Sequence, residues 1–402
     1  MTFEDPDLRD TRAAAEPGDP EAQFSLGLMY HFAEHVPRDI AQAAFWYQKA
    51  ADQDYAPAQA NLGIMYMKGD GVSQDCAQAV FWLRKAADQG DPHGQWSLGL
   101  AYQQGNGVPE DEKLAVLWLQ KAANQGDAEA QLHLGIAWQT GRGVAQDDVQ
   151  AVRWFRKAAS QENPLAQYNL GIMCEYGAGI RRNVAQAVRW FRRAAEQDLP
   201  EAQYRLGTMY DRGHGVSQDH REAAQWFRKA ADQGHVDAQY CLAELYSDGL
   251  GVEQDAAEAA RWLRKAADQR DRRAQCNLGA LYDIGLGVPD GDTEALRWYR
   301  MAADQGSAGA QCNLALMYDA GKGVPEDVTQ ALYWFHMAAD QGEARAQYHI
   351  GLSYESGRGV PRDPAQALHW FHVAAAQGDW NAQYDLGTRY PRRWPQGARA
   401  IR

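Results

Sequence analysis

No stretch of this 402-residue chain approaches the ~18 consecutive apolar residues of a membrane-spanning helix, although 45% of its residues are hydrophobic. Membrane insertion is therefore not expected. Basic residues are in deficit: 40 Lys+Arg stand against 53 Asp+Glu, a formal net charge of −13. That balance argues against nucleic acid or an anionic membrane surface as the main partner, since both reward basic surfaces. The N-terminal Met1-Thr2-Phe3-Glu4-Asp5-Pro6 has neither the basic start nor the apolar segment of a signal peptide. The expected address is cytoplasmic, or periplasmic where an export signal has been trimmed. Cysteine is scarce and odd in number (Cys76, Cys174, Cys241, Cys276, Cys312). Reduced, mostly buried thiols are expected, which suits a cytoplasmic address.

Tryptophan is the residue in excess, with 14 in the chain. Ten of them, Trp46, Trp82, Trp118, Trp154, Trp190, Trp226, Trp262, Trp298, Trp334 and Trp370, follow one another at a step of 36 residues. The same step carries a glutamine from Gln23 to Gln383 without insertion or deletion. Length alone suggests two or three domains at roughly 150 residues each. A strict period of this size instead marks a solenoid, in which each unit buries its apolar face only against its neighbours.

One unit reads as two helices. The first starts after a capping residue such as Asp19, Asp91, Asp127 or Asn163, with Pro20, Pro92 or Pro164 at the first helical position. It continues as Ala-Gln-x-x-Leu-Gly-x-x-Tyr, which places Ala22, Leu26 and Tyr30 on one stripe, with Gly27 beside it permitting close approach of another helix. Turns such as Gly105-Asn106-Gly107-Val108 end it. The second helix opens at Asp39, Asp75, Asp147, Asp219, Asp255, Asp327 or Asp363 and runs as Ala-x-x-Trp-x-x-x-Ala-Ala. Its indole sits between small residues on one face, so the periodic tryptophans read as core rather than as a ligand platform.

The string Ala-Gln-x-x-Leu-Gly-x-x-Tyr, Gly-x-Gly-Val, Ala-x-x-Trp-x-x-x-Ala-Ala resembles the Sel1-like repeat, a relative of the tetratricopeptide repeat, over roughly residues 19–390. The resemblance implies an all-α fold: a right-handed α-solenoid superhelix of about ten 36-residue helix-turn-helix repeats plus a terminal half repeat. It also implies a binding role as adaptor or inhibitor, without catalytic residues or cofactors. Some bacterial members pair two cysteines in each repeat, and this chain departs from that scheme. Residues 1–18 are expected to form an N-terminal cap, a degenerate second helix with Asp10 where tryptophan would stand. Residues 391–402 are expected to be a basic, flexible tail.

Function is expected where repeats differ on an exposed face. By analogy with tetratricopeptide repeats, the first helices line a concave groove. Its candidate partner-binding ridge is Phe24, Leu28, Trp96, Leu100, Tyr168, Ile172, Tyr204, Tyr240, Tyr348 and Tyr384. The competing reading is packing between neighbouring helices. At the ends of the first helices from the fifth repeat onward, Glu175, Asp211, Asp248, Asp283, Asp319 and Glu355 form an acidic rail that would attract a basic partner. On the second helices, the residue before tryptophan is apolar in Phe45, Phe81 and Leu117, then mostly arginine, then Tyr333 and His369. Such apolar patches mark contacts or local packing.

Enzymatic chemistry finds little support. His336, His369 and His372 lack a carboxylate at ligand spacing, so no metal site is assigned. The Gly-x-Gly turns follow no strand and precede no Gly-Lys-Ser/Thr, so they are not phosphate cradles. The expectation is a non-enzymatic adaptor or scaffold that holds another protein or a peptide segment, basic if the acidic rail is used. The alternative is an immunity or inhibitor protein that blocks a cognate toxin or secreted enzyme.

Overall fold

The computed structural model describes residues 6–289 and 291–390. They form 22 α-helices, and no strand occurs among the described residues. The helices fall into two compact units, residues 1–202 and 203–402, each an all-α solenoid of stacked helix pairs. The tail 391–402 lies outside the described residues.

Local chemistry sets the helix ends. Asp91 Oδ1 accepts the Gly94 amide at 2.7 Å, with Pro92 at the first helical position. Asp75 Oδ1 accepts the amides of Ala77 and Gln78 at 2.9 and 3.0 Å. Each such cap contributes ~1 kcal/mol. Its backbone closes the turn as well, the Asp75 amide donating to the Tyr66 carbonyl at 3.0 Å. The second glycine of the turn has a separate task. Gly107 has φ +73°, and a Cβ there would lie 2.1 Å from the Cys76 carbonyl oxygen at the start of the preceding repeat's second helix. Glycine thus seats each turn directly on its neighbour. In the first repeat Ala33-Glu34-His35-Val36 replaces the glycine turn, and Ala33 and His35 adopt the same left-handed backbone, each with φ 62°.

The interior differs in one respect from the tryptophan-centred reading. In most pairs the residue after tryptophan is buried more deeply than the indole: Tyr47, Leu83, Leu119, Phe155 and Phe191 in the first unit, Phe227, Phe335 and Phe371 in the second; Leu263 and Tyr299 are buried together with Trp262 and Trp298. These press on the glycine of the first helix. A Cβ at Gly135 would stand 2.6 Å from Phe155 Cδ1, so the missing side chain sets the interhelix distance. The indoles reach back across the repeat boundary instead. Trp82 joins the cluster of Ala43 and Tyr47, and Trp154 that of Leu119 and Ala122. Six periodic tryptophans are buried, while Trp118, Trp190, Trp226 and Trp370 are half-buried. Cations close the outer faces of many: Lys121 lies 3.8 Å from the Trp118 ring centroid, Lys157 3.9 Å from Trp154 and Lys265 4.0 Å from Trp262.

A polar seam accompanies this apolar one. Gln131 Nε2 donates to the Ala123 carbonyl at 3.1 Å, and Gln131 Oε1 accepts from Gln161 Nε2 at 2.9 Å. Gln161 donates in turn to the Gly126 carbonyl at 2.8 Å. The same pairing recurs from Gln23/Gln53 to Gln347/Gln377. A buried primary amide without such partners would be destabilising, so the invariant glutamine is a stitch between repeats.

At the N-terminal side, helix Pro6–Ala15 packs Leu8 and Ala15 against Leu26 and Trp46, and the Ala15 carbonyl accepts from Gln23 at 3.0 Å. Asp10 is exposed.

Candidate functional site

The ridge of the first helices is built against the deep rings. Phe24 packs at a tilt on Tyr47 with ring centroids 5.6 Å apart, Tyr168 on Phe191 at 5.6 Å, Tyr204 on Phe227 at 5.9 Å and Tyr348 on Phe371 at 5.6 Å. Leu28 lies on the Tyr47 cluster and Trp96 on that of Leu119. Leu100 and Ile172 are half-buried. The Tyr240 hydroxyl accepts from Asn277 at 3.3 Å with the Arg273 guanidinium 4.5 Å from its ring, and the Tyr348 hydroxyl donates to Asp385 at 3.0 Å. Burial, then the neighbouring Glu244, pushes the Tyr240 phenol up to about 12; burial, then Asp385, does the same for Tyr348. Both phenols therefore stay protonated at neutral pH. Tyr384 alone among the ridge residues is exposed, 60% of its surface being open. Apart from Tyr384, the ridge thus carries packing within and between repeats and leaves only part of each of these side chains to solvent.

Most of the acidic positions are engaged by partners within the fold. Asp211 faces His220 Nδ1 at 3.0 Å. Asp283 pairs with Lys322 at 2.8 Å and Asp319 with Arg358 at 3.2 Å, both cations coming from the middle of the next repeat's glycine turn. Glu355 accepts from Arg389 at 3.3 Å and from the Tyr390 hydroxyl at 2.8 Å. Glu175 is buried and Asp248 is exposed. Asp283, Asp319 and Glu355 thus join consecutive repeats, and much of their charge is spent there.

The second helices present a different surface. Phe45, Phe81 and Leu117 are 48%, 50% and 49% exposed, one on each of three consecutive second helices. Lys49 lies 4.7 Å from the Phe45 ring and Lys85 5.5 Å from that of Phe81. Tyr333 and Met337 form a smaller exposed pair in the second unit. His336 and His369 meet the Trp370 ring edge-on at 5.9 and 5.7 Å, which gives these imidazoles an aromatic role. Among the described residues no group of three or more His, Cys, Asp or Glu could hold a metal ion. All five cysteines are free thiols.

The Sel1 repeat matches ten consecutive 36-residue segments, the first at 20–55 and the last at 344–379. The chain belongs to the Sel1 repeat family. A protective antigen of uropathogenic Escherichia coli with an SLR fold is 36% identical over 97% of this chain and 91% of its own, with a TM-score of 0.52. A Sel1 repeat protein from Oxalobacter formigenes is 35% identical over 77% of this chain and 90% of its own, with a TM-score of 0.59. Among curated proteins no relative matches. Sel1 repeat folds are typical of protein–protein interaction scaffolds and are generally non-enzymatic. Among the described residues no helix is long and apolar enough to cross a membrane.

Two of the Sel1 features escaped the sequence reading. The glutamine series Gln53 to Gln377 has the same 36-residue step as Gln23 to Gln383 and could have been paired with it. The cations of the Gly-x-Gly turns, Lys322 and Arg358, lie 39 residues after the acids they meet.

Proposed function

We propose that this chain is a non-enzymatic scaffold that binds a protein partner through the row Phe45, Phe81 and Leu117. The observation that carries this reading is their repeated half-exposure. The equivalent residues in the fourth and fifth repeats are Arg153 and Arg189, so the fold accepts charge at this position. Three successive apolar residues where charge is tolerated form a surface whose burial is favourable only on association. Packed helices are spaced ~10 Å apart, so the row spans roughly 20 Å. That length suits about six residues of extended chain or about thirteen of helix. Lys49 and Lys85 border the row with positive charge. Burying the exposed half of one phenylalanine is worth ~2 kcal/mol, or about 30-fold in affinity.

The test replaces Phe45, Phe81 and Leu117 by serine and compares capture of partner proteins from the native host by affinity purification and mass spectrometry. Loss of a protein held by the wild type, with helical circular dichroism and melting temperature kept, supports the reading. An unchanged set of captured proteins contradicts it.

A further inference from the structure

A second surface of the first unit carries charge of the sign that the whole chain lacks. The fourth and fifth second helices, Asp148–Ala159 and Val184–Glu196, expose Arg153, Arg156, Lys157, Arg189, Arg192 and Arg193. Their only acids are Asp148 at the start of one helix and Glu196 at the end of the other. Around the half-buried Trp190, Gln186, Arg189, Arg192, Arg193 and Glu196 line an open depression of about 410 Å³. The Arg193 guanidinium lies 5.0 Å from the indole ring.

Comparison with other repeats shows why Arg153, Arg156 and Arg189 are available. In the second unit Arg261 pairs with Glu258 at 2.7 Å and Arg297 with Glu294 at 3.5 Å, each acid three residues earlier. In the fourth and fifth repeats that acid is replaced by Gln150 and Gln186. Gln150 gives Arg153 only a neutral acceptor at 3.3 Å. In the fourth repeat a second partner is missing as well. Arg84, Arg228 and Arg264 each donate to a tyrosine hydroxyl 18 residues later, whereas Arg156 has Cys174 at that spacing. Among the described residues Arg153, Arg156, Lys157, Arg189 and Arg193 form no ion pair. Guanidinium groups are weakly hydrated and fork onto carboxylates, so unpaired arginines beside an indole favour an anionic ligand over water.

We propose that the face made by these two helices docks an acidic segment of a protein partner. This proposal rests on the scaffold reading only in taking the ligand to be protein; it concerns a different surface from the apolar row. The net charge of −13 repels polyanions at long range, but at 0.15 M salt the screening length is ~8 Å and the local arginines decide. An extended segment of about three residues reaches from one helix to the next, and a slightly longer one places carboxylates on Arg153, Arg189 and Arg193.

The experiment uses the full chain and fluorescence anisotropy with three labelled probes: an (Asp-Glu)4 peptide, a (Ser-Gly)4 peptide and an eight-nucleotide oligothymidylate. Binding of the acidic peptide at 0.15 M salt is expected, with at least a 5-fold loss of affinity at 0.5 M. Arg189→Glu with Arg193→Glu is expected to weaken it at least 10-fold while the melting temperature is kept. Gln150→Glu with Gln186→Glu, which installs the second unit's acids, should weaken it about 3-fold or more. Arg261→Glu, on a helix whose arginine is already paired, should leave it unchanged. The proposal is overturned if the acidic peptide does not bind, if Arg261→Glu weakens it as much as the double reversal, or if the oligothymidylate binds more tightly through the same arginines. Failure here with the serine-row result intact would remove this site and leave the scaffold reading standing.

Discussion

Replacing Gly107 by alanine should loosen the contact between the second and third repeats, and the structure separates the two reasons. The left-handed backbone at φ +73° costs a residue with a Cβ about 1–2 kcal/mol. The added carbon would also meet the Cys76 carbonyl oxygen at 2.1 Å, more than 1 Å inside ordinary contact. Relieving such a clash against backbone adds about 1–3 kcal/mol. A total near 3–4 kcal/mol is expected. Gly90 supplies the control, with φ +91° and nothing within 4 Å of an added Cβ. At the equivalent position Asp54, Glu162 and Arg270 adopt φ of 60–69° without glycine. Gly90→Ala should therefore cost about 1 kcal/mol. Urea unfolding followed at 222 nm gives both values. Because a solenoid can unfold region by region, hydrogen exchange across residues 56–127 should show the added loss concentrated there. Equal losses for the two variants, or a silent Gly107→Ala, would refute the argument that this glycine is required by the neighbouring repeat.

The glutamine seam and two half-buried histidines give two further tests. Gln131→Ala removes the side-chain donor to the Ala123 carbonyl, which keeps the Gly126 amide, and the acceptor of Gln161, and should cost about 1–2 kcal/mol; Gln131→Leu should do no better, and full stability of the leucine variant would show that the hydrogen bonds are not the reason. Burial lowers the pKa of His133 below 6.5, and burial followed by Arg345 does so for His349, which stacks on Phe335 at 5.0 Å. The unfolded chain then takes up protons first, so their contribution is complete above pH ~6.5 and is lost as pH falls. The melting temperature should drop between pH 7 and 5.5, and His133→Gln with His349→Gln should flatten that drop; an unaltered slope would contradict the assignment.

The period was legible because every repeat solves the same packing problem with the same residues. Caps such as Asp75 and Asp91 were legible for a local reason, since their hydrogen bonds reach only two or three residues along the chain. What stayed hidden lies between repeats. The pairing of Gln131 with Gln161, or of Asp319 with Arg358, depends on how one turn sits over the next, which no pattern within a single repeat contains. The depth of Phe155 relative to Trp154 was missed because residue size suggested the indole as the centre. Gly135 facing Phe155 carried the correct signal. The ridge tyrosines illustrate a harder limit. A half-buried tyrosine such as Tyr204, packed at a tilt on Phe227 and stacked on His235 at 4.7 Å, has the same sequence signature whether it packs or binds.

The central claim is that a partner engages side chains that the fold itself does not need. Its most direct measurement is photocrosslinking in the native host with p-benzoylphenylalanine placed singly at position 81 and, as a control, at position 204. The account predicts a discrete protein adduct from position 81, lost when Phe45 and Leu117 are changed to serine, and none from position 204. An adduct from position 204 alone would contradict it and return the binding site to the first-helix ridge.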